Sequence, residues 1–194
     1  MDNKVKLYFF DTRPLSLDDI YHLDLLTTED LKEMEKYKCS EMRKEKIASL
    51  YLKKKYIGDF SLNQYGKPIS KDKYFNISHS HGLVAIAISK EYEIGIDIEL
   101  IEERKKDLGD FICTSEERAY IGEIKDFFEI WTSKESMVKC IGTGIRSKIK
   151  EIPALPINGL KEYQGDFYYS KCFKKDDFII SITVKNKTNF DVEM

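Results

Sequence analysis

Cysteine is sparse and scattered: Cys39, Cys113, Cys140 and Cys172 form no C-x-x-C and no paired His/Cys spacing. That argues against a disulfide framework or a zinc site and fits a reducing compartment. An excess of charge of either sign is also missing, since 32 Lys and Arg oppose 34 Asp and Glu for a formal net charge of −2. With no global basic field, the chain does not look like a nucleic-acid binder, and local clusters must carry any anion binding. No apolar run approaches the ~20 residues that span a bilayer. The start, Met1-Asp2-Asn3-Lys4, lacks the apolar stretch of a signal peptide. No Pro/Gly/Ser linker divides the 194 residues, so one domain, or two fused halves sharing a core, is expected. These absences predict a soluble, cytoplasmic protein without a nucleic-acid or membrane partner.

What is present reads as alternating helices and strands. Val5–Phe10 predicts a first strand. Helix starts follow at Ser16, Thr27 and Thr114, each a hydroxyl with an acidic residue three positions later (Asp19, Asp30, Glu117). A helix is predicted over about 41–57, with Ile47, Leu50, Tyr51 and Ile57 on its apolar face. Gln64–Pro68 reads as a turn, and Tyr74–Ile77, Leu83–Ser89 and Glu93–Leu100 as strands. A long helix is predicted over about 127–141, stopped by Gly142-Thr143-Gly144. Strands over Phe167–Phe173 and Phe178–Val184 complete the pattern. Each half runs from helices into a hairpin, which hints at duplication.

Four clusters carry possible chemistry. In Ile94-Gly95-Ile96-Asp97-Ile98-Glu99-Leu100, strand alternation sends the apolar residues to one face and Gly95, Asp97 and Glu99 to the other. Two carboxylates beside a bare glycine suit a hard cation and a phosphate. Taken by itself, the segment fits an ordinary amphipathic strand with a polar outer face better. In the second cluster, Phe127, Ile130, Trp131, Met137, Val138 and Ile141 form a helical stripe, flanked by Glu135 and Lys139 four apart. Those two suit a site or a solvated ion pair. Lys134 falls inside the stripe, so its ammonium needs a partner, an exit to water or a function. Third, Asn76-Ile77-Ser78-His79-Ser80-His81-Gly82 reads as a polar turn between strands, able to offer hydroxyls and an imidazole to a phosphate. Fourth, Lys36, Lys38, Arg43, Lys44, Lys46, Lys53, Lys54 and Lys55 form a basic stretch, mostly a solvated helix face. Arg43 within it, and Lys67 on its Gly-Lys-Pro turn, are candidates to grip phosphate.

Taken in order, Gly66-Lys67-Pro68, Asn76-Ile77-Ser78-His79-Ser80, Gly95-Ile96-Asp97-Ile98-Glu99 and Trp131-x-x-Lys134-Glu135-x-x-x-Lys139-x-x-Gly142-x-Gly144 resemble the Sfp-type (surfactin-synthetase-activating) 4′-phosphopantetheinyl transferases. Phe111-x-x-x-Ser115-Glu116 is similar to a further segment of that family. His81 departs from its pattern, and the stretch between Glu99 and Trp131 is short. The short holo-acyl-carrier-protein synthases match less well, because their G-I-D motif lies near the N-terminus. The resemblance implies an α+β fold built as a pseudo-dimer of two similar α/β halves, here 1–100 and 101–194. It also implies a monomer that moves the phosphopantetheine of coenzyme A onto a serine of an acyl or peptidyl carrier protein. By motif matching, Asp97, Glu99 and Glu135 would hold Mg2+. Lys38, Arg43, Lys67, Ser78, His79 and Lys139 would bind coenzyme A, and Glu135 and Lys139 would serve catalysis. Two rivals are another magnesium-dependent phosphoryl-transfer enzyme and a non-catalytic coenzyme A or carrier-protein binding module.

Overall fold

The computed structural model describes residues 3–103, 109–142, 144 and 149–194. Its elements follow in the order β1 (Lys4–Asp11), α1 (Leu17–Tyr21), α2 (Thr28–Met34), α3 (Ser40–Tyr56), β2 (Ser61–Leu62), β3 (Pro68–Ile69), β4 (Tyr74–Ser80), β5 (Leu83–Ser89), β6 (Ile94–Leu100), α4 (Gly109–Ile112), α5 (Ser115–Tyr120), α6 (Ile124–Ile141), β7 (Gly159–Tyr163), β8 (Asp166–Lys175), β9 (Phe178–Lys185) and β10 (Asp191–Glu193). The class is α+β. Ser16, Thr27 and Thr114 each close a reciprocal capping box with Asp19, Asp30 and Glu117, which fixes the starts of α1, α2 and α5. Gly142 ends α6 in the left-handed conformation at φ 79°, where a side chain would be strained. Residues 143 and 145–148, which include part of the predicted stop, lie outside the described residues.

Two four-stranded sheets form, ordered β10-β1-β5-β4 and β6-β9-β8-β7. Alternation along β6 works as the sequence predicts: Ile94, Ile96 and Ile98 join Val5, Leu7, Leu83, Ala85, Ala87, Ile180 and Ile182 in one core shared by both sheets. Helix α3 covers the far face of the first sheet through Ala48, Tyr51 and Leu52 against Phe75, Val84 and Ile86. Helix α6 covers the other face of β6 and β9, so the polar side of β6 does not face solvent. Gly95 makes that packing possible. A Cβ there would come within 2.0 Å of the Ser136 carbonyl oxygen and 2.4 Å of the Cys140 nitrogen.

Three sequence expectations change. The 76–82 segment is not mainly a turn: it continues β4 to Ser80, and only His81 and Gly82 turn the chain, with φ of 47° and 82°. Positive φ at both positions gives the two-residue hairpin twist that adjacent strands favour. Helix α6 is buried almost all round rather than along one stripe, with Phe128, Thr132, Ser133, Glu135, Ser136 and Cys140 also covered. Small hydroxyls allow this close approach, Thr132 bonding Ser181 and Ser136 bonding Thr183, each at 2.8 Å. The basic stretch is not all solvated either. Lys44 is buried and bonds the carbonyls of Thr12 and Leu15.

Candidate active site

The site lies where β4, β6 and α6 meet. Strand alternation turns Asn76, Ser78 and Ser80 of β4 toward β6, although the two strands share no backbone ladder. Side chains stitch them instead. Oδ1 of Asn76 accepts from the Ile96 N–H at 3.0 Å, Ser78 Oγ donates to Asp97 Oδ1 at 3.0 Å, and Ser80 Oγ meets Glu99 Oε2 at 3.2 Å. From α6, Lys139 Nζ reaches Asp97 Oδ1 at 2.6 Å and Ser78 Oγ at 2.9 Å. The indole N–H of Trp131 donates to Glu99 Oε1 at 2.9 Å. The α6 spacing that puts Glu135 and Lys139 one turn apart thus aims both at the carboxylates of β6.

Burial governs the electrostatics. It pushes Asp97 above the usual carboxylate range, with the Lys139 ammonium pulling back. Burial, and then the charge of Asp97, raise Glu135 to about 7, with Lys139 opposing them. Asp97 Oδ2 and Glu135 Oε1 are both buried without a hydrogen-bond partner. Unpartnered buried carboxylate oxygens are rare and costly, and hard oxygen donors of this kind suit Mg2+. Donor chemistry therefore fits a magnesium ion. The grouping is not closed around one: among the described residues, no three His, Cys, Asp or Glu side chains converge tightly enough to enclose a metal. Lys139 and Ser78 lie on Asp97, and Trp131 and Ser80 on Glu99.

The other predicted residues separate. His79 alternates to the opposite face of β4 from Ser78, where Nδ1 lies 2.9 Å from Glu45 Oε2 and Nε2 3.0 Å from Lys46 Nζ. From the sequence, Lys46 is only one member of the basic stretch and Glu45 carries no assignment, because nothing local links position 45 or 46 to 79. Lys67 keeps its predicted turn, but its ammonium points into the end of α6 and donates to the carbonyls of Cys140 at 2.9 Å and Ile94 at 3.4 Å. It caps a helix C-terminus, a common place for a lysine. Arg43 donates to the Tyr37 carbonyl and the Tyr21 hydroxyl, tying N-terminal segments to α3. Lys38 is exposed. A cavity of about 240 Å3 opens beside the carboxylates, lined by Gly66, Lys67, Ile77, Glu135, Val138 and Lys139 among others. A second, of about 270 Å3, lies across Lys67 against Lys73, Glu93 and Cys140 and contains none of the predicted acids. Lys134 resolves its own puzzle. It is fully buried and paired with Glu117 at 2.9 Å.

Asp97, Glu99, Glu135 and Lys139 sit within a segment that matches a known family, and the β4 hydroxyls precede it. Residues 93–183 match the family model of the 4′-phosphopantetheinyl transferase superfamily. The chain is 41% identical over 93 residues to the 4′-phosphopantetheinyl transferase gsp of Aneurinibacillus migulanus, covering 44% of this chain and 39% of that protein. It is 32% identical over 107 residues to the 4′-phosphopantetheinyl transferase HetI of a Nostoc species, covering 48% and 45%. With the 4′-phosphopantetheinyl transferase AcpT of Escherichia coli it shares 33% over 87 residues, covering 39% and 45%. The chain spans less than half the length of these relatives.

Proposed function

We propose that this protein is an Sfp-type 4′-phosphopantetheinyl transferase. It transfers phosphopantetheine from coenzyme A to a serine of an acyl or peptidyl carrier protein, as a cytoplasmic monomer. The observation that carries the reading is the pair of unpartnered buried oxygens, Asp97 Oδ2 and Glu135 Oε1, beside Lys139 and a cavity, within the segment that matches the superfamily. In keeping with a cytoplasmic protein, no helix among the described residues is long and apolar enough to cross a membrane. The division into pseudo-dimeric halves, 1–100 and 101–194, belongs to the same proposal. It is supported by the repeated order of helices followed by a hairpin and by the sheet on either side of the common core.

Asp97, Glu135 and Glu99 would hold Mg2+, which when bound would neutralise charge on the pyrophosphate. The chain's own residues do the rest. Lys139 donates to phosphate oxygens, Ser78 holds it toward them, and His79 contacts the pyrophosphate region beside the Lys46 ammonium. Glu135 takes the proton of the carrier serine. That serine oxygen bonds to the phosphorus bearing pantetheine as the bond to the bridging oxygen breaks. 3′,5′-ADP leaves with the electron pair. Lys38, Arg43 and Lys67 keep a lesser place as contacts to the nucleotide phosphates. For Arg43 and Lys67 this requires them to release the carbonyls they hold here. The test is the intact mass of an apo carrier protein incubated with this chain, coenzyme A and Mg2+. A gain of one phosphopantetheine, lost on chelation, is expected. No gain with any of the fatty-acid, polyketide and non-ribosomal-peptide carriers overturns the activity, and a gain that survives chelation overturns the metal role.

A further inference from the structure

Both ring nitrogens of His79 are engaged, and both partners come from adjacent positions of α3. Nε2 lies 3.0 Å from the Lys46 ammonium. An ammonium only donates, so Nε2 accepts and Nδ1 carries the hydrogen, which it gives to Glu45 Oε2 at 2.9 Å. The second oxygen of Glu45 accepts from the Gly82 N–H at 2.6 Å. Two N–H donors therefore converge on one side chain, and only a carboxylate accepts from both with both oxygens. Burial pushes Glu45 up, but the hydrogen bonds from His79 and Gly82 more than offset it, so the carboxyl lies below its ordinary value and stays ionised. The carboxylate is screened, at 12% side-chain exposure, while the ring remains reachable at 29%. The alternative is a purely structural tie between α3 and the β4–β5 hairpin.

We infer that Glu45 is a positioning residue for the proposed transfer: it locks the tautomer and ring plane of His79 from behind, so that Nε2 accepts from the Lys46 ammonium and holds its remaining N–H groups toward a substrate phosphate. Histidines whose free nitrogen must act as a lone-pair acceptor, metal ligands above all, are commonly held this way by a carboxylate on the other nitrogen. The inference rests on the reading of His79 as a coenzyme A contact. Lys46 becomes a binding residue alongside it, with its ammonium already 3.0 Å from the ring.

Glu45→Gln keeps the shape but sets an amide N–H against one of the two donors. Long-range 1H–15N spectra of the histidines, with the His79 signals identified by their loss in His79→Asn, read the tautomer without any turnover. In Glu45→Gln the Nδ1–H form should give way to the Nε2–H form or a mixture. The KM for coenzyme A should rise about tenfold, the low end for removing a histidine's carboxylate partner, with kcat within about twofold. In a His79→Asn background the same substitution should add less than about twofold, because the path through the ring is already gone. Should the Gln variant not fold, Glu45→Ala removes the acceptor without adding a donor and gives the same readings. An unchanged tautomer, or an equal penalty with and without His79, overturns the positioning role. If His79→Asn itself leaves the KM unaltered, the contact assigned to His79 fails and the inference falls with it. A raised KM in His79→Asn beside a silent Glu45→Gln sinks the Glu45 role alone.

Discussion

Lys134→Met should unfold this protein more readily than any surface change, and the structure sets the scale. Lys134 is 0% exposed and Glu117 5%, with 2.9 Å between their charges. The ammonium also donates to the Ile152 carbonyl at 2.6 Å. Glu117 in turn accepts from the backbone N–H groups of Thr114 and Ala154. Burial pushes Lys134 below its ordinary value while Glu117 pulls it back up. Methionine fills the space of the lysine stem and leaves no large cavity. What remains is a buried carboxylate without its cation, and breaking such a pair costs about 3–5 kcal/mol. For a chain of this size that lowers the melting temperature by roughly 10 °C, at about 2–4 °C per kcal/mol. Urea denaturation at neutral pH measures the loss directly. The double variant Lys134→Met/Glu117→Gln should recover much of it, because no charge is then stranded. A Lys134→Met protein within 1 kcal/mol of wild type refutes the reasoning. A fully stable variant without turnover would put Lys134 in the active site instead.

Three further substitutions probe the site and its supports. Gly95→Ala should cost about 3 kcal/mol, the upper end for overpacking, and slow transfer by moving α6 from β6. A wild-type melting temperature would show that the 2.0 Å approach to the Ser136 carbonyl relaxes freely. Lys161 is 3% exposed with its Nζ on Ser133 Oγ, and burial drives it from 10.5 down to about 7. The unfolded chain then binds the extra proton between these two values, so stability rises with pH across that window and the penalty is fully present below about 7. Lys161→Met should therefore stabilise by about 4 kcal/mol near neutral pH, with the gain fading toward pH 10. A gain that does not change with pH rejects this account. Burial raises Glu135 from 4.5 to about 7, so in metal-free buffer its stability contribution is lost as pH climbs between them. Glu135→Gln should abolish turnover yet raise stability by about 3 kcal/mol above pH 7 and hardly at all near pH 4.5. A variant less stable than wild type at pH 8 contradicts the burial argument.

The chain's local chemistry was legible because it acts over a few residues. The three capping boxes, the alternation of β6 and the glycine stop of α6 depend on neighbours two to four positions away, and each was readable without a fold. The need of Lys134 for a buried partner also followed from its place in an apolar stripe, though nothing local named Glu117. The short pairings β2–β3, β7 and β10 were missed, since two- to five-residue strands carry too little pattern to stand out. The polar face of β6 remained ambiguous, because alternation alone does not say whether solvent or a helix lies beyond it.

Motif order by itself pointed to the superfamily and selected Asp97, Glu99, Glu135 and Lys139 as candidates. Only the tertiary structure decided what those residues touch. Ser78 reaches Asp97 across 19 positions and Lys139 reaches it across 42. The same long-range packing turned Lys67 into a helix cap, buried Lys44 and set Glu45 and Lys46 on either side of the His79 ring. A side chain's role in such contacts depends on which faces the sheets and helices bring together, and spacing along one strand or helix carries no record of that.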